Sequence, residues 1–160
     1  MKLVISGGQN EPRDAIAGAV WALLENPDQL ALLMEGSLGR DRAFDEYVRW
    51  MAPIGMSPRR IARDAVIDGI EFPEGSRAFF MFSAANRDPL HFDKADIFDI
   101  RRSTKKHIAF GAGPHFCAGA FASRALVAHV ALPMIFDRLP SLRLDPCLLY
   151  TSDAADDDRG

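Results

Sequence analysis

The sequence predicts a mainly α fold with a small β region, and three observations carry that prediction. Apolar residues recur at helical spacing between residues 14 and 33, again between 42 and 52, and again after residue 120. Between the second and third of these stretches, residues 62–89 alternate and contain the turn signals Asp68-Gly69 and Pro73-Glu74-Gly75. We therefore expect helices at both ends of the chain and short strands, forming a hairpin, between them.

The helix boundaries follow from prolines and capping residues. The first helical stretch is interrupted at Asn26-Pro27-Asp28, where an asparagine cap and a proline in the first turn predict the start of a new helix that ends near Gly36. The helix at residues 42–52 is closed by Pro53. Residues 86–107 are polar and irregular, which predicts a long and therefore functional loop. The last helix is expected from Ala120 to Ile135.

Composition limits the class of protein. The 160 residues are enough for one domain, and 48% hydrophobic with 26% charged residues is typical of a soluble globular chain. A net charge of -3 gives no support for binding to nucleic acid, and no apolar run reaches the roughly 18 residues of a membrane span. Two cysteines, Cys117 and Cys147, fit a reducing cytoplasm.

The tail at residues 147–160 differs from everything before it, because it is small, acidic and unpatterned. It resembles translated adapter read-through, and an ordinary disordered acidic tail is the alternative. We therefore expect one domain over residues 1–146 and a non-native or disordered tail over residues 147–160.

The segment from Phe110 to Gly119 is the most informative part of the sequence. Its glycines, Gly111, Gly113 and Gly119, let the backbone turn tightly and approach a flat ligand closely. Cys117 lies just before the last predicted helix, whose free N–H groups and positive dipole end stabilise a thiolate, the form that binds metal. The alternative is a buried and inert cysteine.

This segment resembles the haem-binding loop of the cytochrome P-450 family, whose pattern is FxxGxxxCxG. Every fixed position is met, by Phe110, Gly113, Cys117 and Gly119. The resemblance implies that Cys117 is the axial ligand of haem b (iron protoporphyrin IX), where a thiolate pushes electron density onto the iron. It extends over residues 4–145 and matches only the C-terminal portion of the cytochrome P-450 fold, so we expect a truncated product of a bacterial-type soluble member.

Further residues match the family's structural network. Glu46 and Arg49 stand three apart on one helix, like the family's ExxR pair. In the family, that pair bonds an arginine from a segment called the meander loop. Residues 98–102 resemble this loop. The first choice for this arginine is Arg102 and the second is Arg101. A buried carboxylate held by two guanidiniums is strongly destabilised when one partner is removed.

The resemblance also implies haem-propionate and substrate contacts. Arg60 and His115 stand where the family places its propionate partners, and a guanidinium pairs bidentately with a carboxylate. The alternatives are a surface arginine and a solvent-facing or satisfied loop histidine. Ile54 and Met56, after the helix at residues 42–52, are expected to line the substrate pocket.

The sequence departs from the family above the distal face of the haem. Counting back from Asn26 places Gly7-Gly8 on the glycine part of the AGx(D/E)T signature, with Asn10 at the acid position and Glu11 at the alcohol position. Pro12 removes the bond to the Gly8 carbonyl, so the helix is expected to open at Gly7-Gly8. The alternative is a helix that begins at Asn10 with Pro12 in its first turn.

Glu11 is the departure with chemical consequences. A carboxyl group there can donate and accept protons close to the oxygen substrate, and it could also deprotonate hydrogen peroxide. In the alternative, Glu11 turns outward and Asn10 or ordered water serves the oxygen.

The function implied by the resemblance is a cytoplasmic monooxygenase. It oxidises a small organic substrate with dioxygen and electrons from a ferredoxin- or flavin-type redox partner. Candidate residues for a docking face are Arg59, Arg63, Lys105 and Lys106, with a merely solvated face as the alternative. The competing functions are a haem-binding protein without turnover, a peroxide-using peroxygenase and a non-functional fragment that binds no haem.

Overall fold

The computed structural model describes residues 7–104 and 106–145, which are mainly helical with four short strands. The first part consists of α1 (Asn10–Glu25), α2 (Pro27–Met34) and α3 (Asp41–Met51). The strands are β1 (Ser57–Arg60), β2 (Ala65–Ile67), β3 (Ile70–Phe72) and β4 (Arg77–Phe80). The remaining elements are α4 (Phe82–Ala85), a 3-10 turn at Gly113–His115, α5 (Ala120–Arg124), a π-helical segment (Ala125–Ala131) and α6 (Leu132–Arg138). The predicted mainly α fold with a small β region is confirmed.

The core lies where α1, α3 and the last helix pack together. Its most deeply buried apolar side chains include Leu23, Phe44, Val127 and Leu132, each at most 1% exposed. Burial of side chains of this size stabilises a fold by about 1.5–3 kcal/mol each relative to exposure. The helices predicted from apolar periodicity thus bury the faces that the periodicity marked.

A notch in α1 lets α3 approach closely. Gly18 has no side chain, and the position that a Cβ would take lies 2.0 Å from the hydroxyl oxygen of Tyr47. The Tyr47 hydroxyl donates a hydrogen bond of 3.2 Å to the backbone carbonyl of Asp14. The helix pair is therefore held by a phenol seated against the backbone of its neighbour.

Two tryptophans, one from each of these helices, stack on one another. The rings of Trp21 and Trp50 have centroids 5.7 Å apart and planes inclined by 20°. The Arg87 guanidinium lies 5.4 Å from the Trp50 ring centroid, and the indole N–H donates to the Asp96 carbonyl at 2.7 Å. Trp50 thereby joins α3 to the loop that follows α4.

The strands form two antiparallel pairs, one nested inside the other. β2 and β3 form the predicted hairpin, and Asp68 (φ 50°) and Gly69 (φ 77°) both have the positive φ of a type I′ turn. β1 pairs with β4, so that Arg60 stands opposite Arg77. β1 was not predicted, because Pro58 and two arginines are untypical of a strand; proline is tolerated here since β1 is an edge strand. The short helix α4, inside the predicted strand region, was not predicted either.

The last helix is longer and less regular than predicted. It runs from Ala120 to Arg138 rather than ending at Ile135, and its middle is π-helical. Pro133 follows the π segment; proline offers no N–H to the His129 carbonyl and its ring needs room there, which a wider turn provides.

By length and composition the same helix could cross a membrane, although no uninterrupted apolar run in the sequence is that long. Its buried face, with Val127, Ala128, Leu132 and Phe136, belongs to the same core as α1 and α3. One face of the helix therefore packs against that core, whereas the apolar residues Phe121, Leu126, Val130 and Met134 are each at least 44% exposed.

Three parts of the sequence-based predictions fall outside the described residues. They are any helix upstream of Gly7, the basic residue Lys105, and the tail at residues 147–160 with Cys147. Within the described part, Gly7 is helical, Gly8 and Gln9 form a turn, and α1 begins at Asn10 with Pro12 in its first turn.

Candidate functional site

The cysteine loop folds back on itself through backbone hydrogen bonds. The Cys117 N–H donates to the Phe110 carbonyl at 2.9 Å, and the Gly111 N–H donates to the Ile108 carbonyl at 2.9 Å. Gly111 (φ 70°) and Gly113 (φ 63°) adopt the left-handed conformation that glycine takes at little cost. The shape of the loop thus requires glycine at these two positions, whereas Gly119 has a negative φ of -88°.

Cys117 is exposed at the start of the last helix. Its carbonyl accepts a hydrogen bond of 3.2 Å from the Ala120 N–H, and a Cβ on Gly119 would lie 3.9 Å from its sulfur. Phe116 and Phe121 nearby in the chain are 46% and 73% exposed. The cysteine is therefore not the buried and inert one of the alternative reading, and the loop presents a thiol together with apolar rings.

A cluster of aromatic rings connects the cysteine loop to α3. Phe110 is half-buried, with ring centroids 6.1 Å from Phe44, 6.3 Å from Phe116 and 5.7 Å from His107. Since Phe44 belongs to the core of α3, Phe110 ties the loop to the rigid part of the fold.

His107 lies at the base of the loop. Its Nδ1 accepts a hydrogen bond of 3.2 Å from the Ala109 N–H, which identifies the neutral ring with its proton on Nε2. Burial lowers the pKa of His107 below its ordinary 6.5, while the nearby Asp45 carboxylate raises it and the Arg124 guanidinium lowers it. The neutral form is therefore the one that the site favours.

The structure brings Glu46, Arg49 and Arg102 together. The Arg49 guanidinium donates to both carboxylate oxygens of Glu46, at 2.8 and 2.7 Å, and both side chains are fully buried. Arg102 donates to Glu46 Oε1 at 3.3 Å, and the Asp99 N–H donates to the same oxygen at 2.9 Å. The buried carboxylate is thus fully paired, as a buried charge must be.

The two guanidiniums also donate to backbone carbonyls of residues 86–97, which precede the segment at residues 98–102. Arg49 donates to the carbonyls of Asn86, Ala95 and Ile97. Arg102 donates to those of Asp93, Lys94 and Ile97. Arg101, the second choice for this role, instead pairs on the surface with Asp28 at 2.9 Å and with Asp99 at 3.2 Å. The Arg101 guanidinium lowers the pKa of Asp28.

Gln29 is a structural residue that the sequence analysis missed. It is 5% exposed, its amide N–H donates to the Phe98 carbonyl at 2.9 Å, and its amide oxygen accepts from the Ile100 N–H at 2.9 Å. The side chain therefore pairs with the meander loop as a neighbouring strand would. A polar residue on the inward face of α2 was the only available signal.

Arg60 and His115 are both exposed. Among the described residues neither forms an ion pair or a hydrogen bond through its side chain. Arg60 and its cross-strand neighbour Arg77 line an open cavity of about 600 Å³.

The other predicted residues have less defined surroundings. Ile54 and Met56 are 47% and 55% exposed after α3. Asn10 is exposed at the start of α1, whereas Oε2 of Glu11 is buried and has no hydrogen-bond partner in the described part of the chain. Of the basic residues, Arg59, Arg63 and Lys106 are exposed, and the Arg59 guanidinium lies 5.4 Å from the Phe80 ring centroid.

The fold and the cysteine loop together define a class of protein. Members of this class have a mainly α fold with small antiparallel sheets and a buried carboxylate that pairs with two arginines. They also have an exposed cysteine on a glycine-containing loop ahead of the last helix. No group of three or more potential metal ligands occurs in residues 7–104 and 106–145.

Comparisons with known proteins identify the family. The family model for cytochrome P450 matches residues 41–133, and the chain belongs to the cytochrome P450 family. It is 38% identical over 143 residues to cytochrome P450 107B1 of Saccharopolyspora erythraea, covering 89% of this chain and 35% of that protein. It is 36% identical over 144 residues to cytochrome P450 monooxygenase PikC of Streptomyces venezuelae, covering 89% and 34%.

A solved structure shows the same likeness in three dimensions. CYP154A1 from Streptomyces coelicolor A3(2) has a TM-score of 0.84 and 38% sequence identity, covering 90% of this chain and 37% of that one. The chain thus spans about a third of the length of the curated relatives that it matches.

Proposed function

We propose that this chain carries the haem-ligating region of a monooxygenase that oxidises a small organic substrate with dioxygen. The observation that supports this most is the exposed thiol of Cys117, held by the bond between its own N–H and the Phe110 carbonyl. Relatives named as monooxygenases, such as PikC, support the same function. We further propose a cytoplasmic protein that takes electrons from a ferredoxin- or flavin-type partner.

The described residues fit a haem. Within residues 7–104 and 106–145 the one thiol, that of Cys117, is exposed and could ligate the iron. Gly113 leaves open space where a Cβ would stand, and Phe116 offers an apolar surface to a flat macrocycle. Arg60 and His115 have no acidic partner in the described part of the chain and suit the two propionates. We propose haem b as the cofactor, with Cys117 as the residue that would ligate its iron.

When bound, haem would supply the activation of dioxygen, and a thiolate ligand favours that chemistry by donating electron density. The chain's own residues act around it. Cys117 would ligate the iron from the start of the last helix, Phe110 and Gly119 flank the cysteine, and the Glu46–Arg49–Arg102 network keeps the supporting loops fixed.

The test replaces the matching third of PikC by residues 7–145 of this chain and reads the pigment. The reduced chimera with carbon monoxide should show the strongly red-shifted Soret band of a thiolate ligand. Cys117→Ser should lose that band, whereas the matched control Ala118→Ser, at the next exposed position, should keep it. A Cys117→Ser chimera that retained the band would refute the assignment.

The buried Oε2 of Glu11, with no partner in the described residues, favours a second candidate function, the use of hydrogen peroxide. A carboxylate without a fixed partner can accept a proton from peroxide and return it, as a general acid–base does. In that function Glu11 moves the proton and the neighbouring Asn10 binds water or oxygen.

A substitution in the same chimera separates the two functions. Glu11→Thr should lower peroxide-supported turnover while reductase-supported turnover holds or rises, and Glu25→Thr, an exposed position at the end of α1, serves as the control. Unchanged peroxide-supported turnover in Glu11→Thr would show that Glu11 takes no part in oxygen chemistry.

A further inference from the structure

Asn86 lies between the buried charge network and the cysteine loop. It follows the last residue of α4 and is 1% exposed. Its backbone carbonyl accepts a hydrogen bond of 2.9 Å from Arg49, and its side-chain oxygen accepts one of 2.8 Å from the Ile108 N–H. One buried residue therefore joins the guanidinium that pairs with Glu46 to the first turn of the loop.

From Ile108 the connection reaches the cysteine in two steps. The Ile108 carbonyl accepts from the Gly111 N–H, and the Phe110 carbonyl accepts from the Cys117 N–H, both at 2.9 Å. Over residues 107–119, the described residues supply one side chain from outside the loop that bonds to its backbone, and it is Asn86. The position of Cys117 relative to the core therefore depends on this bond as well as on the packing of Phe110.

The side-chain amide of Asn86 forms a hydrogen bond through its oxygen but, among the described residues, none through its nitrogen. Its Nδ2 is buried and has no partner among the described residues, although a buried amide donor without a partner costs free energy. An apolar residue of similar size would avoid that cost and lose only the acceptor for Ile108. The unpaired donor indicates that the acceptor matters at this place.

We propose that Asn86 is a positioning residue for Cys117. It transmits the fixed geometry of the Glu46–Arg49 pair to the cysteine loop through its carbonyl and its side-chain oxygen. The inference rests on the proposed function only in taking Cys117 as the ligand. The connection itself is a property of the chain without cofactor and is tested there.

The experiment uses the full chain in dilute solution, in a Cys147→Ser background so that Cys117 is the one reactive thiol. Asn86→Leu removes the acceptor and keeps the side-chain size, while Asn86→Asp keeps an acceptor. The matched control is Asn26→Leu, because Asn26 also follows a helix and bonds a backbone carbonyl at 2.8 Å, away from the loop. Hydrogen exchange of the loop peptides and the rate of Cys117 alkylation by iodoacetamide are measured.

Asn86→Leu should speed exchange of the Ile108 and Cys117 amides at least several-fold and change the alkylation rate, leaving the α1 peptides unchanged. Asn86→Asp should keep the loop protected, and Asn26→Leu should affect α1 and α2 but not the loop. Equal acceleration in all peptides, or an unchanged loop in folded Asn86→Leu, would overturn the proposal.

If Asn86→Leu does not fold, the unsubstituted chain decides. Its Ile108 and Cys117 amides should then exchange as slowly as the amides of α3, and rapid exchange at either would overturn the proposal. Neither readout needs haem, so a chimera with PikC that lacked the red-shifted Soret band would count against the proposed function alone.

Discussion

At the scale of single residues, two adjacent arginines have different roles. Arg102 bonds the buried carboxylate of Glu46 and is 12% exposed, while Arg101 pairs with Asp28 on the surface. The match of residues 98–102 to the family made Arg102 the first choice and Arg101 the second, and the structure places Arg102 against Glu46 and Arg101 against Asp28. The Glu46–Arg49 pair was readable from the sequence because its partners are three apart on one helix.

Removing these arginines should therefore have unequal effects. Arg102→Ala leaves Glu46 with one guanidinium fewer and removes the donor that Arg102 supplies to three backbone carbonyls. We therefore expect a loss of about 3 kcal/mol in the free energy of unfolding. Arg101→Ala should change it little, since exposed pairs contribute little. Denaturant unfolding of both variants checks this. Equal losses in the two variants would contradict the role of Arg102.

His107 predicts a pH dependence. Burial lowers its pKa in the folded chain below the ordinary 6.5, so the unfolded chain binds a proton at a higher pH than the folded chain does. The stability from this residue is therefore fully present above about pH 6.5 and is lost as the pH falls towards the folded pKa. His107→Gln should flatten this part of the stability–pH curve, as measured by denaturant unfolding in a pH series. A curve identical to that of the unsubstituted chain would contradict the burial of His107.

At the scale of secondary-structure elements, the contact between α1 and α3 depends on a missing side chain. In an exposed helix, Gly→Ala stabilises by about 1 kcal/mol. At Gly18 the added methyl would collide with the Tyr47 ring, so Gly18→Ala should instead destabilise by about 1–3 kcal/mol. Gly39→Ala, where nothing lies within 4 Å, is the control. A thermal melt shows the sign, and a higher Tm for Gly18→Ala would mean that Tyr47 moves aside freely.

The two hydrogen bonds of the Gln29 side chain form a clamp that joins α2 to the backbone at Phe98 and Ile100. Gln29→Leu leaves the Phe98 carbonyl and the Ile100 N–H without partners, so we expect a loss of about 2–4 kcal/mol. Gln9→Leu, at an exposed position, should be nearly neutral. Denaturant midpoints compare the two. If Gln29→Leu were as stable as the parent chain, the clamp would contribute nothing.

The elements show where sequence reasoning succeeds. Periodicity predicted α1, α3 and the last helix because each buries one apolar face, and Asp68-Gly69 predicted its hairpin because two positive φ angles leave few other residue choices. The clamp was missed because Gln29 and Phe98 are 69 residues apart, a separation that local patterns do not describe. The π segment was missed because nothing in Ala125–Ala131 itself distinguishes it from an α-helix.

At the scale of the whole molecule, much apolar surface faces solvent. Phe121 is 73% exposed, Leu90 88% and Val66 68%, and the rings of Phe79 and Phe80 are about half exposed. Exposed apolar side chains in this number favour association. We expect the chain alone to bind a hydrophobic dye and to form oligomers as its concentration rises, with little uptake of haem. A product that is monomeric in size-exclusion chromatography, carries haem and melts cooperatively would contradict this.

The tryptophan stack gives the molecule an optical signal of its own. The chain has two tryptophans, and both belong to the pair formed by Trp21 and Trp50. Indole transitions at a centroid separation of 5.7 Å interact strongly, so the pair should absorb as a coupled chromophore with circular dichroism bands of opposite sign. Since one ring comes from α1 and the other from α3, that signal follows the distance between these two helices. The packing of the core is thus visible without any label.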